Sequence, residues 1–472
     1  VTKQRWAYIV LAVALMGMLS PVRARVNGEN PFGIVEGFWF PETTCELGVG
    51  WERIIFDWAQ HQPTSPLDWH TLNVDDRWLK AANQCGWEVV ALLKNTPTWA
   101  TEGIPGAGVP SGLTLPVDHP DNHWANFVRQ TARYYAPRGV NTFIIWNEPD
   151  IAAGTYGYEF AGSVEDYAQL LKVASIAARQ GNPNAQIHLA GTTYWHNINE
   201  GERLYLDRLL EIITSDPDAA ANGYYFDALS LHIYFRTETV YSITQEARAL
   251  LDGYGLTDKA IWINETNAPP TQDEAWPVER PVYPYTLEQQ AAFLTQAAAL
   301  GLAAGAERIA VYKLFDQGLP LGGETFGILR PNDQSPRPAF DAWRTVIQRM
   351  QAVESARYIT AEGVEAVWLE QANDQRTLVI WATGADAAQL TLTGSGAVYH
   401  YLNGAEPVTT FEATTLDQVL AGALCNGHDP LEPCPVGGEP VLVAFSSPAT
   451  VQVQLENGTM QLLVNNGELF NE

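Results

Sequence analysis

Phe143-Ile144-Ile145-Trp146-Asn147-Glu148-Pro149-Asp150 and Ala260-Ile261-Trp262-Ile263-Asn264-Glu265-Thr266 share one design, a short apolar run closed by a glutamate. Short runs of β-branched and aromatic residues predict buried strands, so each carboxylate is expected where a strand leaves the core. Working outward, strand candidates recur at Phe32 to Phe40, Arg53 to Trp58, Glu88 to Leu93, Gln186 to Gly191, Ala228 to Tyr234 and Arg308 to Phe315. Helical patterns fall between them, among them Asp121 to Tyr135, Val164 to Arg179, Glu202 to Ile213, Thr244 to Asp252 and Leu287 to Ala304. Strand and helix alternating eight times predict an α/β fold, a (β/α)8 TIM barrel over residues 30–350. In that fold the active site lies at the C-terminal ends of the strands, where both glutamates stand.

Beyond Gln351 the pattern changes. Val364 to Leu369, Arg376 to Ala382, Ala388 to Leu392, Ala397 to Leu402, Pro440 to Phe445 and Val451 to Leu455 are short strand candidates separated by Gly, Asn and Asp. This predicts an antiparallel β-sandwich over 352–472, an accessory domain for support or sugar binding.

The chain has 472 residues, 46% of them hydrophobic and 17% charged, which places it among folded proteins rather than disordered ones. Its 27 Lys and Arg against 54 Asp and Glu give a formal charge of −27, which repels phosphate backbones and argues against nucleic acid as a partner. Lys3 and Arg5, the apolar stretch Trp6 to Leu19, and Val22 and Ala24 follow the order of a secretory signal over residues 1–24. A retained anchor is the alternative, but the stretch is short of the about 20 residues that span a bilayer. The mature chain is expected to start near Arg25 and to be secreted or displayed on the cell surface, without a membrane span. Cys425 and Cys434 bracket a Pro-rich loop suited to a local bridge, leaving Cys45 to pair with Cys85, although four cysteines allow three connectivities. Neither spacing resembles a zinc site, and no metal or cofactor is expected.

Two carboxylates about 5 to 5.5 Å apart can cleave a glycoside with retention, one protonating the leaving oxygen and one attacking the anomeric carbon. A lone glutamate at a strand end is more often a solvated residue or a helix cap. Here Asn147 precedes Glu148, Pro149 is expected to hold it extended, and Trp146 is large for a solvated loop. In Leu229-Ser230-Leu231-His232-Ile233-Tyr234, alternation puts Ser230, His232 and Tyr234 on one face. Barrel interiors are usually aliphatic, so a polar inward face suggests the lining of a site. A His and Tyr that merely bond each other in the core is the plainer reading.

With these motifs in place, the chain resembles a clan A retaining glycoside hydrolase, and is most similar to the family 39 type and its bacterial exopolysaccharide-hydrolase relatives. The resemblance covers Phe32 to about Met350. It implies Glu148 in Trp146-Asn147-Glu148-Pro149 as acid/base, with Asn147 on the sugar 2-hydroxyl. It implies Glu265 as nucleophile, oriented by His232 and Tyr234 and supported by Arg53. Asn95-Thr96-Pro97-Thr98-Trp99-Ala100 resembles the turn whose Trp borders the site. The chain departs from the pattern at strand eight, where a Trp often floors the sugar site but Val311-Tyr312-Lys313-Leu314-Phe315-Asp316 stands here. Lys313, on the face of Val311 and Phe315, either meets a substrate carboxylate or snorkels and pairs with a nearby acid.

The chemistry expected is a secreted retaining glycosidase acting on a β-linked oligo- or polysaccharide. Glu148 is expected to rest protonated and Glu265 ionised, held by Arg53 and Tyr234, which gives a bell-shaped pH profile below neutrality. Trp39, Trp58, Trp99 and Trp195 are the candidates for stacking on pyranose rings, against packing of helices on the barrel. The rival readings are a non-catalytic sugar-binding protein, which normally loses a carboxylate, and a metal-assisted hydrolase, for which only His232 is a strand-end ligand candidate.

Overall fold

The computed structural model describes residues 30–279, 281, 283–361, 363–425, 434–446, 449–455, 458–465 and 468–471. The expected signal segment lies outside the described residues. Eight parallel strands close into a barrel in chain order: β1 (Phe32–Val35), β2 (Trp51–Asp57), β3 (Glu88–Lys94), β4 (Thr142–Ile145), β5 (Gln186–Leu189), β6 (Ala228–Tyr234), β7 (Ala260–Asn267) and β8 (Arg308–Val311).

Period-two alternation explains what fills the barrel. Trp51, Val90, Leu92, Ile144, Ala228, Trp262 and Ala310 form an inner cluster, while their neighbours Ile54, Phe56, Ala91, Leu229 and Ile309 pack outward on the helices. Trp51 and Trp262 plug the lower end with ring centroids 5.1 Å apart, and His188 meets Trp262 edge-on at 4.3 Å. Continuing the same faces upward, Arg53 on β2 and Ser230, His232 and Tyr234 on β6 point inward. These residues form the polar lining of the C-terminal end, while Glu88, bonded to Thr142 and Arg308, forms a separate polar cluster at the opposite end.

β7 breaks the alternation. Leu231 pairs with Ile263 but His232 pairs with Glu265, so Asn264 is an extra residue in a bulge. The register against β8 shifts over the same stretch. With Trp262 facing in, strict alternation would send Glu265 outward; the inserted residue turns it back into the barrel.

β4 and β5 end two residues before the sequence predicts, and β1 and β8 end four or more residues early. β1 stops at Val35, where Glu36 takes a positive φ of 58° and the chain enters a short helix over Gly37–Trp39. β8 stops at Val311. Six of the twelve non-glycine residues with positive φ among the described residues follow barrel strands: Glu36, Asn95, Trp146, Glu148, Tyr194 and Phe235. Backbone strain thus gathers at the mouth.

The second domain is an antiparallel β-sandwich of β9 (Val353–Ala361), β10 (Val364–Gln371), β11 (Gln375–Ala382), β12 (Ala388–His400), β13 (Thr409–Leu420), β14 (Val441–Phe445), β15 (Ala449–Leu455), β16 (Gly458–Asn465) and β17 (Glu468–Asn471). β12 pairs with β15 through its first half and with β14 through its second, with an irregularity between Gly394 and Gly396, so one strand turns the corner between layers. Trp368, Ile380, Leu390, Phe411 and Val443 make its own core, whereas Val367, Val379, Trp381 and Leu442 join the core of the barrel.

Between the two domains runs the helix Leu287–Ala303, rich in Ala and buried from Gln289 onward. It has no solvent face because barrel and sandwich each cover one side. Its polar residues bridge them: Gln296 accepts from Gly437 N at 3.1 Å and donates to Gly438 O at 2.7 Å, and Gln289 donates to Leu424 O at 2.9 Å. Cys45 is bridged to Cys85 and Cys425 to Cys434. No helix among the described residues is long and apolar enough to cross a membrane.

Candidate active site

Glu148 reaches the mouth through a twisted exit from β4. Tyr167 anchors that exit, donating its hydroxyl to Ile145 O at 2.8 Å and accepting from Ala190 N at 2.7 Å, which ties the ends of β4 and β5 together. Trp146 then takes φ 71° and turns out of the barrel, fully buried against Trp124 and Phe160. Glu148 itself has φ 40°, so the extended conformation expected before Pro149 is not the one adopted. Its N–H donates to Gly191 O at 3.1 Å, a tertiary bond that outweighs the local preference of a pre-proline residue. Asp150 braces the same turn by accepting from the N–H and hydroxyl of Thr193, both at 2.8 Å.

Around Glu148 and Glu265 the barrel brings together His232, Tyr234 and Arg53. His232 Nδ1 lies 2.6 Å from Glu148 Oε1 and 3.5 Å from Glu265 Oε2. Arg53 pairs with Glu265 Oε1, and the Tyr234 hydroxyl donates to Glu265 Oε2. Nδ1 of His232 donates to an ionised carboxylate and can accept from a protonated one, so its role follows the protonation of Glu148. One ligand-type atom from each of Glu148, His232 and Glu265 lies within 4.8 Å of the other two. That spacing also suits a cation, but Arg53 and Tyr234 already claim both oxygens of Glu265.

The two carboxyls are driven apart in acidity. Burial pushes Glu148 above the usual carboxylate range, the charges of Glu265 and Asp150 add to the shift, and His232 opposes it. Burial alone would also raise Glu265, but Arg53, His232 and Tyr234 together hold it below its ordinary value. Burial disfavours the His232 imidazolium, yet Glu265 and Glu148 raise its pKa above the usual value. Burial, then the charge of Glu265, pushes the Tyr234 phenol far above its usual range, which keeps it a donor.

The other candidate residues fall in different places. Asn147 donates to Glu159 Oε2 at 3.1 Å, beside Lys94, whose Nζ lies 2.5 Å from the same oxygen. Trp99 is half-buried, edge-on to His123 and bonded through Nε1 to Gln62 O. Trp195 is 38% exposed at the start of the helix Trp195–Glu200. Trp58 offers no sugar-facing surface: it is fully buried, stacked on Phe127, and bonded through Nε1 to Gln62 at 2.8 Å. It opens a short helix immediately after β2 and packs with the outer-layer cluster, which is why a strand-end position does not make it a stacking platform.

Lys313 pairs with Glu36 Oε2 at 2.5 Å instead of standing free. The inward residue of β8 is Ala310, so the residue next on that face is Tyr312, not Lys313. Tyr312 lies 6.1 Å from the Tyr234 ring and 5.7 Å from Phe326, which makes it the aromatic wall beside Glu265. Buried Asn267 fixes this wall, donating to Tyr312 O at 2.6 Å and Phe326 O at 2.7 Å. Sequence reading missed Tyr312 by taking the wrong face of the strand. Alternation from Ala310 was the available signal.

Gly191 is required by the site. A Cβ there would stand 2.1 Å from His232 Nε2, so Gly191→Ala has to displace the imidazole. A misplacement of about 1 Å can lower turnover by roughly 100-fold. Gly191→Ala is expected to lose activity on that scale with its far-ultraviolet circular dichroism unchanged. Wild-type turnover in this variant would exclude His232 from the working geometry.

No family model matches the chain, and no curated protein matches it significantly. Its fold is similar to solved structures. A family 39 glycoside hydrolase from the gut symbiont Bacteroides cellulosilyticus WH2 aligns at 14% identity over 89% of this chain and 81% of that one, with a TM-score of 0.60. A GH39 β-xylosidase from Caulobacter crescentus aligns at 13% identity over 90% and 98%, with a TM-score of 0.57. A glucosidase from Croceicoccus marinus aligns at 12% identity over 92% and 97%, with a TM-score of 0.56. At such identities the likeness is one of fold: the barrel of this chain and its β-domain have counterparts among glycoside hydrolases of this type.

Proposed function

We propose that the chain is a secreted retaining glycoside hydrolase that cleaves β-glycosidic bonds of an oligo- or polysaccharide through a covalent glycosyl-enzyme. One observation carries the reading: carboxylate oxygens of Glu148 and Glu265 approach within 4.8 Å while their environments push the two groups into opposite protonation states. A gap of about 5 to 5.5 Å suits direct attack, whereas inversion needs about 6.5 to 9.5 Å to admit a water.

In the first step Glu265 attacks the anomeric carbon as the glycosidic C–O bond breaks, and the proton of Glu148 passes to the leaving oxygen. Glu148 is left as a carboxylate, and because bonding to carbon has removed the charge of Glu265, it stays ionised. It then takes a proton from the water that attacks the anomeric carbon and releases Glu265. Arg53 and Tyr234 hold Glu265 in line, and His232 bridges the pair. Asn147, Trp99, Trp195 and Lys313 are the proposed substrate contacts, joined by Tyr312. Export is supported by the two disulfides, which persist in oxidising compartments.

Proton nuclear magnetic resonance of a digest tests the reading. The first-formed reducing end is expected to be β, the configuration of the bond cut. An α-anomer appearing first would exclude double displacement.

A further inference from the structure

Lys313 and Glu36 form an ion pair at the rim between β8 and β1, 13% and 16% exposed. The same Glu36 oxygen, Oε2, accepts from Trp39 Nε1 at 3.4 Å, so Lys313 and Trp39 share one carboxylate oxygen. The pair belongs to the Glu265 side of the mouth. Lys313 follows Tyr312 directly, its Nζ lies 5.4 Å from the Tyr312 ring, and Tyr312 packs on Tyr234, whose hydroxyl binds Glu265. In a double displacement that side holds the sugar that becomes bonded to the enzyme.

Four cations of the described residues around the mouth are each answered by an acid: Arg53 by Glu265, Lys94 by Glu159, Lys313 by Glu36 and Arg236 by Glu238. Asp150 adds a further acid behind Glu148. Among the described residues, a sugar carboxylate entering this cleft would face several acids and cations that are already paired, in a chain of formal charge −27. A neutral sugar meets the opposite situation. Each hydroxyl both donates and accepts, and an ammonium beside a carboxylate offers one donor and one acceptor to two neighbouring hydroxyls.

Resting on the glycosidase reading, we infer that the sugar held on the Glu265 side is neutral and that the Lys313–Glu36 pair reads two of its neighbouring hydroxyls. Glu36 thereby selects against a uronic acid, because it cancels the Lys313 charge that would attract one.

The test uses the full chain and β-linked oligosaccharides in matched pairs that differ only in a C6 hydroxymethyl or a C6 carboxylate, in the gluco, galacto and manno series. Wild type is expected to cleave the neutral member with kcat/KM at least about 100-fold higher, the scale that unfavourable charge juxtaposition imposes on recognition. Glu36→Gln leaves Lys313 charged and unanswered, and is expected to narrow that ratio by roughly 10-fold or more. Lys313→Met is expected to lower kcat/KM on the neutral member without improving the uronide. A wild type that cleaves the uronide as well as or better than its neutral partner overturns the inference and leaves the glycosidase reading standing. An unchanged ratio in Glu36→Gln, with the variant folded by circular dichroism, overturns the role of the pair. Cleavage of no pair, together with no covalent labelling of Glu265 by activated 2-fluoro glycosides of the same sugars, overturns both readings at once.

Discussion

Glu265→Ala is expected to reduce turnover by on the order of 10⁴ to 10⁶, the range seen when a residue of a covalent catalytic unit is removed. The loss follows from chemistry: among the described residues the carboxylate grouped with Glu265 and His232 is Glu148, and Glu148 is occupied with His232. Azide added to this variant occupies the vacated space as a small anionic nucleophile. It is expected to restore turnover on substrates with good leaving groups and to give an α-glycosyl azide. The variant also carries a stability cost, because Arg53 is 3% exposed and its partner is gone. Breaking a buried pair on one side typically costs about 3 to 5 kcal/mol. Glu265→Gln keeps an acceptor near Arg53, and separates the catalytic loss from unfolding when both variants are followed by urea titration. Turnover of either variant at the wild-type rate would defeat the proposed mechanism.

Glu148→Ala is expected to show a loss that depends on the leaving group. General acid catalysis contributes about 10²- to 10⁴-fold, so unactivated oligosaccharides should suffer on that scale. Dinitrophenyl glycosides need no protonation, so their first step should survive while the second slows for want of a base. The intermediate then accumulates and KM falls. Azide is expected to accelerate that second step and yield a β-azide, the opposite anomer from Glu265→Ala, which distinguishes the two roles. The pH profile follows from the same groups. Activity requires Glu148 protonated and is lost as pH rises through its elevated pKa; it requires Glu265 ionised and is lost as pH falls through its depressed one. Glu148→Gln should therefore remove the alkaline limb and keep the acid limb. An intact alkaline limb in Glu148→Gln would assign it to another group.

Much of this was legible in the chain. Ala228 to Tyr234 was read to its ends as a strand with His232 and Tyr234 on the inward face, because strict alternation is local and needs no knowledge of neighbours. The bridge between Cys45 and Cys85 was among the readings open to four cysteines, and both disulfides form as the spacing suggested. Trp58 misled because strand-end position alone does not say which way a ring turns. It lies in a cluster with Trp124 and Phe127, residues more than sixty positions away in sequence, and that packing decides its face.

The amino-acid sequence by itself determined the alternation of strand and helix, the change to a β-sandwich after 350, and the two glutamates as the carboxylates of interest. These follow from periodicity and from residue types, which act over a few neighbours. Tertiary structure alone decided how those glutamates aim. Glu265 faces Arg53 because the Asn264 bulge shifts the register of β7 against both β6 and β8, and a register is a property of paired strands. Glu148 leaves the extended region because Gly191 O, on the neighbouring strand's exit, captures its N–H. Lys313 loses its free charge because Glu36, 277 positions earlier, reaches it only when β8 closes the barrel on β1. Each outcome depends on contacts between elements distant in the chain, and closure of the sheet creates them.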